Sequence, residues 1–218
     1  MDRITLGRMQ NPVRGFLHGA AAVLSVVALV VLAIKTNDSP LKMWSMIVFG
    51  LSLVALYTTS SLYHSIAWQE KWRARLQRLD HSMILVLVAG SWTPMAINLL
   101  EGTWRIVTLS VVWGSALVGI IQKWFFSSVR IWFTITLAVS MGWFALIPLS
   151  AMTRQIGMTA IGLLVLSGAM YTVGMVMFAS QRPKMFPRIF SYHELFHVLV
   201  VAGSVTHFVL VFRYIVPL

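Results

Sequence analysis

Three histidines and a glutamate interrupt the otherwise apolar stretch SYHELFHVLVVAGSVTHF, residues Ser191 to Phe208. His193 and His197 stand four apart, so on a helix they share one face about 6 Å apart along the axis, close enough to bind one metal ion. A third ligand must come from elsewhere in the chain, and His64 is the natural candidate. Three histidines with one position left open to water or substrate is the arrangement of catalytic rather than structural zinc. Imidazole suits zinc, copper, iron and nickel alike, and zinc is expected as the commonest of these. HELFH also satisfies H-E-x-x-H, the metalloprotease signature in which Glu194 would be the general base. Against that reading, no histidine stands where a metzincin motif would place its third ligand and no distal acidic ligand is found, Asp80 being the only other carboxylate placed for burial.

The elements that must position these groups are plain from composition. The chain has 218 residues, 58% of them hydrophobic and only 11% charged, where a soluble domain carries roughly 25% charged residues. Apolar runs recur at Phe16–Ile34, Met43–Tyr63, Met83–Leu100, Trp104–Ile121, Ile131–Ala151, Ile156–Ala179 and Leu195–Phe212. Each is near the ~20 residues that an α-helix needs to cross a bilayer. The runs are continuous rather than alternating, which excludes a β-barrel and leaves helices that satisfy their own backbone groups. The expected fold is an all-α integral membrane protein, a seven-transmembrane helix bundle in a single domain over residues 1–218. The boundary between the third and fourth spans rests on Glu101-Gly102-Thr103 alone. The first run lacks a small-residue cleavage site and reads as a span rather than a cleaved signal. The chain has no cysteine, hence no disulfide framework.

A net charge of +11 raises the question of nucleic acid, but basic loop residues in a membrane protein first obey the positive-inside rule. Arg3, Arg8, Arg14, Lys71, Arg73, Arg75, Arg78, Lys123, Arg130, Arg182, Lys184 and Arg188 precede the first span or lie in even-numbered loops. Lys35, Lys42, Arg105, Arg154 and Arg213 lie on the other side. The N-terminus is therefore expected in the cytoplasm and the C-terminus outside. A nucleic-acid partner is not expected, because no folded polar domain exists to carry one. In this topology His64 ends span 2, Asp80 and His81 begin span 3, and His193 and His197 begin span 7, all at one depth near the cytoplasmic face. One histidine at a span end is usually a satisfied polar residue. Several polar groups converging at one depth mark a bundle interior or water-filled cavity, because lipid penalises them.

SSLYH (Ser60–His64), LDHSMILVLVAGSWTP (Leu79–Pro94) and HELFHVLVVAGSVTHF (His193–Phe208), with NPVRGFLHGAAAVLS (Asn11–Ser25) at the first span, resemble the hemolysin III family. That family is the bacterial branch of the progestin and adiponectin receptor family, within a wider group that includes alkaline ceramidases. The resemblance covers nearly the whole chain and implies zinc held by His64, His193 and His197, with Ser60 and Asp80 falling on the family's motif serine and aspartate. It further implies a multi-pass protein of a bacterial inner membrane that acts on or senses membrane lipids. Asp80 would orient or deprotonate the zinc water and Ser60 would hydrogen-bond that water or the developing oxyanion, in hydrolysis of an acyl or ceramide-like lipid. The rival readings are a receptor or membrane regulator with structural zinc, a cytolysin, and an intramembrane metalloprotease.

Other residues carry lesser expectations. His207, about 21 Å beyond His193 along a helix, is too far to join the same metal; it is expected to pack in the interior, the alternative being that it lines the cavity or pairs with a polar neighbour. His18 is a candidate to support a ligand from behind. His81 reads as interfacial. The Ala202–Ser204 and Gly168–Gly174 segments suggest close helix packing. Trp68, Trp72, Trp104 and Trp124 read as interfacial anchors. Pro94 and Pro148 are expected to kink their spans.

Overall fold

The computed structural model describes residues 5–6, 9–126, 131–186 and 190–218. Arg3, Arg8, Arg130 and Arg188, used above to orient the chain, lie outside the described residues. Among the described residues, a two-stranded antiparallel ribbon, β1 (Thr5–Leu6) and β2 (Met9–Gln10), precedes seven helices. These are α1 (Pro12–Lys35), α2 (Pro40–Ser65), α3 (Glu70–Leu99), α4 (Gly102–Phe125), α5 (Ile131–Trp143), α6 (Leu149–Ser180) and α7 (Tyr192–Leu210). A 3₁₀ turn, Phe144–Leu146, extends α5, and a π turn, Val211–Ile215, extends α7. All six helices other than α5 are long and apolar enough to cross a membrane. The α5 segment with its 3₁₀ turn is shorter, about 25 Å by standard rises.

Local chemistry sets the ends. Asn11 takes a left-handed conformation (φ 45°), which asparagine tolerates better than most residues. Pro12 then opens α1, where its missing N–H costs nothing. The third and fourth spans do separate, at Leu100-Glu101. α3 begins at Glu70 rather than Met83, because EKWRARLQRLDHS, although too polar for lipid, is rich in strong helix formers.

Two expectations about proline and span limits need correction. The fifth span was expected to reach Ala151 and the sixth to start at Ile156, with Pro148 as a kink. The structure instead ends the fifth element at Leu146 and starts α6 at Leu149. Pro148 has no N–H to continue a helix and its ring clashes with the preceding turn, so it makes a boundary here. The interruption expected near residue 155 survives as a break inside α6 at Gly157 (φ 76°, ψ 169°), a conformation that glycine adopts without a Cβ clash. Pro94 does lie inside a helix that continues past it, and Asn98 Nδ2 donates to the Pro94 carbonyl at 2.8 Å.

The helices contact one another in chain order and α7 returns to α1, with α3 also touching α5 and α6. α3 is the most enclosed of the spans, 61% of its most apolar window being buried against 22% for α1, α4 and α6. The exposed apolar side chains are accordingly frequent on α1 (Val23, Leu24, Val27), α4 (Ile106, Leu117, Val118) and α6 (Val165, Leu166, Val176), as lipid-facing helices require. Gly203 admits the Tyr171 ring, which would sit 3.0 Å from any Cβ placed there, and Gly174 lies against Phe196. Gly168 touches nothing in this way, so close packing holds for only part of the small-residue pattern. Trp72, Trp104 and Trp124 are exposed in the end turns of α3 and α4, and Trp68 Nε1 donates to the Leu62 carbonyl at 3.0 Å.

Candidate metal centre

The end of α2 and the beginning of α7 meet at one end of the bundle. There His64, His193 and His197 each offer a ring nitrogen, all within 4.8 Å of one another. The His64 ring centroid is 5.3 Å from that of His193 and 4.8 Å from that of His197. The two α7 rings are 5.0 Å apart and nearly parallel (24°), as one helical turn dictates. His64 and His197 are buried and His193 is partly so. The triad can hold a metal ion. Its fit is supported by His197 Nε2, a buried nitrogen without a hydrogen-bond partner. Such an orphan is costly in an apolar interior unless something coordinates it.

Asp80 and Ser60 are both buried, and both line the cavity that His193 and His197 also line. The Ser60 hydroxyl lies near the Asp80 carboxylate. All five residues singled out from sequence thus lie at one end of the molecule, where α2, α3 and α7 come together. The cavity measures about 120 Å³, far above the ~10–15 Å³ that admits a single water. Its walls are mostly apolar, and Gly142, Leu146 and Val165, which line it, are exposed. It therefore reaches the outer surface between α5 and α6, the face that lipid would cover.

His207 also lines this cavity rather than merely packing. Its Nε2 lies 3.3 Å from the Ser91 carbonyl and its ring meets Phe49 edge-on. His81 faces inward. It lines the cavity against Phe178, because the polar first turns of α3 carry the helix start well beyond the point where its apolar run begins.

Glu194 occupies the middle of HELFH without facing the triad's chemistry. Its Oε1 accepts from Arg14 Nε at 2.7 Å and its Oε2 accepts from the Ser191 amide at 2.9 Å, closing a capping box at the start of α7. One carboxylate oxygen holds α7 against α1 and the other caps the start of α7. A group so engaged is poorly placed to take a proton from water, so the protease resemblance of the motif reflects a helix cap.

Sequence reasoning missed a buried set of hydroxyls beside the triad. Tyr57 donates to Ser204 Oγ at 2.6 Å, and Tyr171 shares a 2.8 Å hydrogen bond with the same oxygen. The signal was present in the spacing. Tyr57 precedes His64 by seven residues and Ser204 follows His197 by seven, two helical turns each, so they extend the same facing surfaces of α2 and α7.

The comparisons with known proteins agree with this architecture. Residues 7–208 match the family described as Haemolysin-III related. The chain is 34% identical over 201 residues to the Hemolysin-3 homolog of Bacillus subtilis (strain 168), an alignment covering 91% of each chain. It is 29% identical over 219 residues to Hemolysin-3 of Bacillus cereus, covering 100% of this chain and 97% of that one. A family match spanning most of the helices, together with relatives aligned along nearly their full lengths, shows that this multi-pass membrane protein belongs to the Haemolysin-III related family.

Proposed function

We propose that the chain is a zinc-dependent hydrolase of acyl lipids, cleaving an ester or amide bond near the cytoplasmic leaflet of a bacterial inner membrane. The observation that carries this reading is a histidine triad at an apolar cavity that two of its members, His193 and His197, line together with the buried Asp80 carboxylate and Ser60 hydroxyl. His64, His193 and His197 hold the zinc. Bound there, zinc supplies Lewis acidity, lowering the pKa of water toward ~7 and polarising an acyl carbonyl. Asp80 accepts the proton of the attacking water, and the Ser60 hydroxyl, which lines the same cavity, hydrogen-bonds that water or the developing oxyanion. The acyl chain enters sideways through the gap between α5 and α6, and the apolar walls hold it while excluding bulk water.

A second reading has its own support. The triad ties the end of α2 to the start of α7, so a metal there can brace the bundle of a lipid-sensing regulator without turnover. Cytolysis is named only for a relative and gains nothing from this cavity, whose walls are mostly apolar.

The test begins with the metal content of detergent-purified protein by mass spectrometry, wild type beside His193→Ala. About one zinc per chain in wild type, lost in the folded variant, is the expected result. Hydrolysis of ceramide-like and phospholipid substrates is then compared between wild type and Asp80→Asn. Removing a general base should lower the rate by roughly 10²–10⁴-fold while zinc is retained. Zinc without hydrolysis of any acyl lipid favours the regulator, and a wild type that takes up no zinc overturns both readings.

A further inference from the structure

His18 belongs to neither the triad nor the hydroxyl set, yet it is buried on α1 with only 2% of its surface exposed. Its ring lies 4.1 Å from that of His197, and His197 Nδ1 is 2.8 Å from His18 Nε2 and 3.2 Å from His18 Nδ1. The Tyr57 ring closes the other side edge-on at 4.9 Å.

A neutral imidazole has one N–H donor and one bare acceptor nitrogen. The bond made by one nitrogen decides which of them carries the proton. Two neutral rings that meet through nitrogens need one N–H and one lone pair between them. Of the two assignments, His197 Nδ1 donating to His18 Nε2, the nearer nitrogen at 2.8 Å, is the one that leaves the second His197 nitrogen free for a metal. With its proton on Nδ1, His197 keeps a lone pair on Nε2, the nitrogen that is buried and otherwise without a partner. Among the described residues, the buried side-chain nitrogens and oxygens without a partner are those of His81, Thr108 and His197 Nε2.

We propose that His18 is a positioning residue for the metal centre: it accepts the Nδ1 proton of His197 and so fixes the tautomer and ring orientation that present Nε2 to the metal. This rests on the metal reading above. Because His18 comes from α1, the centre draws on three helices, two supplying ligands and one setting the proton on a ligand.

The test is zinc affinity of the detergent-purified full chain, by competition with a chromogenic chelator, for wild type, His18→Phe and His18→Gln. Loss of such an outer partner costs about 10–100-fold in metal affinity. We expect that loss in His18→Phe, which keeps ring volume but no acceptor, and partial recovery in His18→Gln, which restores a side-chain carbonyl. Equal affinity for wild type and a folded His18→Phe overturns the inference and leaves the metal reading standing. No zinc binding by wild type overturns the metal reading itself. If His18→Phe does not fold, nitrogen NMR of histidine-labelled, zinc-loaded wild type decides. A proton on Nδ1 of His197 supports the inference, and a proton on Nε2 overturns it.

Discussion

Glu194 shows how a motif and a role come apart at the scale of one residue. Inside HELFH it has the spacing of a metalloprotease base, but its two oxygens are taken by Arg14 and the Ser191 amide. Glu194→Gln should therefore leave zinc content unchanged and weaken the hold on the start of α7. A hydrogen bond to a charged partner is worth about 1.5–3 kcal/mol, so thermal unfolding in detergent should shift down measurably. Loss of zinc at unchanged stability would mean that the carboxylate serves the metal after all. His81 and His207 make the same point from the other side. Both are ordinary by spacing, and only the surrounding helices turn them toward the cavity.

At the scale of elements, the pairing of α5 with α6 decides access. α5 is short, ends in a 3₁₀ turn and is cut off by Pro148, while α6 is broken at Gly157. Two irregular helices side by side leave the cavity open toward lipid at Gly142 and Val165. A Cβ at Gly142 would meet nothing within 4 Å, so a large side chain fits there without disturbing the helix. Gly142→Trp should retain zinc and fold normally, yet reduce turnover of long-chain acyl lipids at least tenfold, with a smaller effect on short-chain analogues. Undiminished hydrolysis of long-chain lipids would show that substrate enters elsewhere. α3 carries the complementary lesson, since its polar first turns continue the helix that sets Asp80 on the cavity.

At the scale of the whole molecule, orientation follows from charge. Lys71 in the first turn of α3 and Arg154 near the start of α6 are both exposed, and the positive-inside rule assigns them to opposite sides of the membrane. Because the chain has no cysteine, single substitutions can be labelled without background. In intact cells a membrane-impermeant maleimide should label Arg154→Cys and spare Lys71→Cys until the membrane is permeabilised. The reverse pattern would place the metal centre on the outer side and move the proposed substrate to the other leaflet.

The apolar runs, the histidine spacing and the loop charges could be read from sequence because each reflects a local or one-dimensional constraint. A span needs about 20 apolar residues, a helix turns every 3.6, and loop basicity is topogenic. That reading also foresaw that His64, Asp80, His193 and His197 share one end of the bundle, since alternating spans leave few places for polar groups. What it could not give were distances and partners. The Arg14–Glu194 ion pair, the His18–His197 contact and the Tyr57–Ser204–Tyr171 hydroxyls join residues far apart in the chain. Such contacts depend on how helices rotate and approach one another, which is set by packing against neighbouring helices rather than by hydropathy. Which histidines meet in the triad and which lies behind it was therefore decided by the tertiary structure alone.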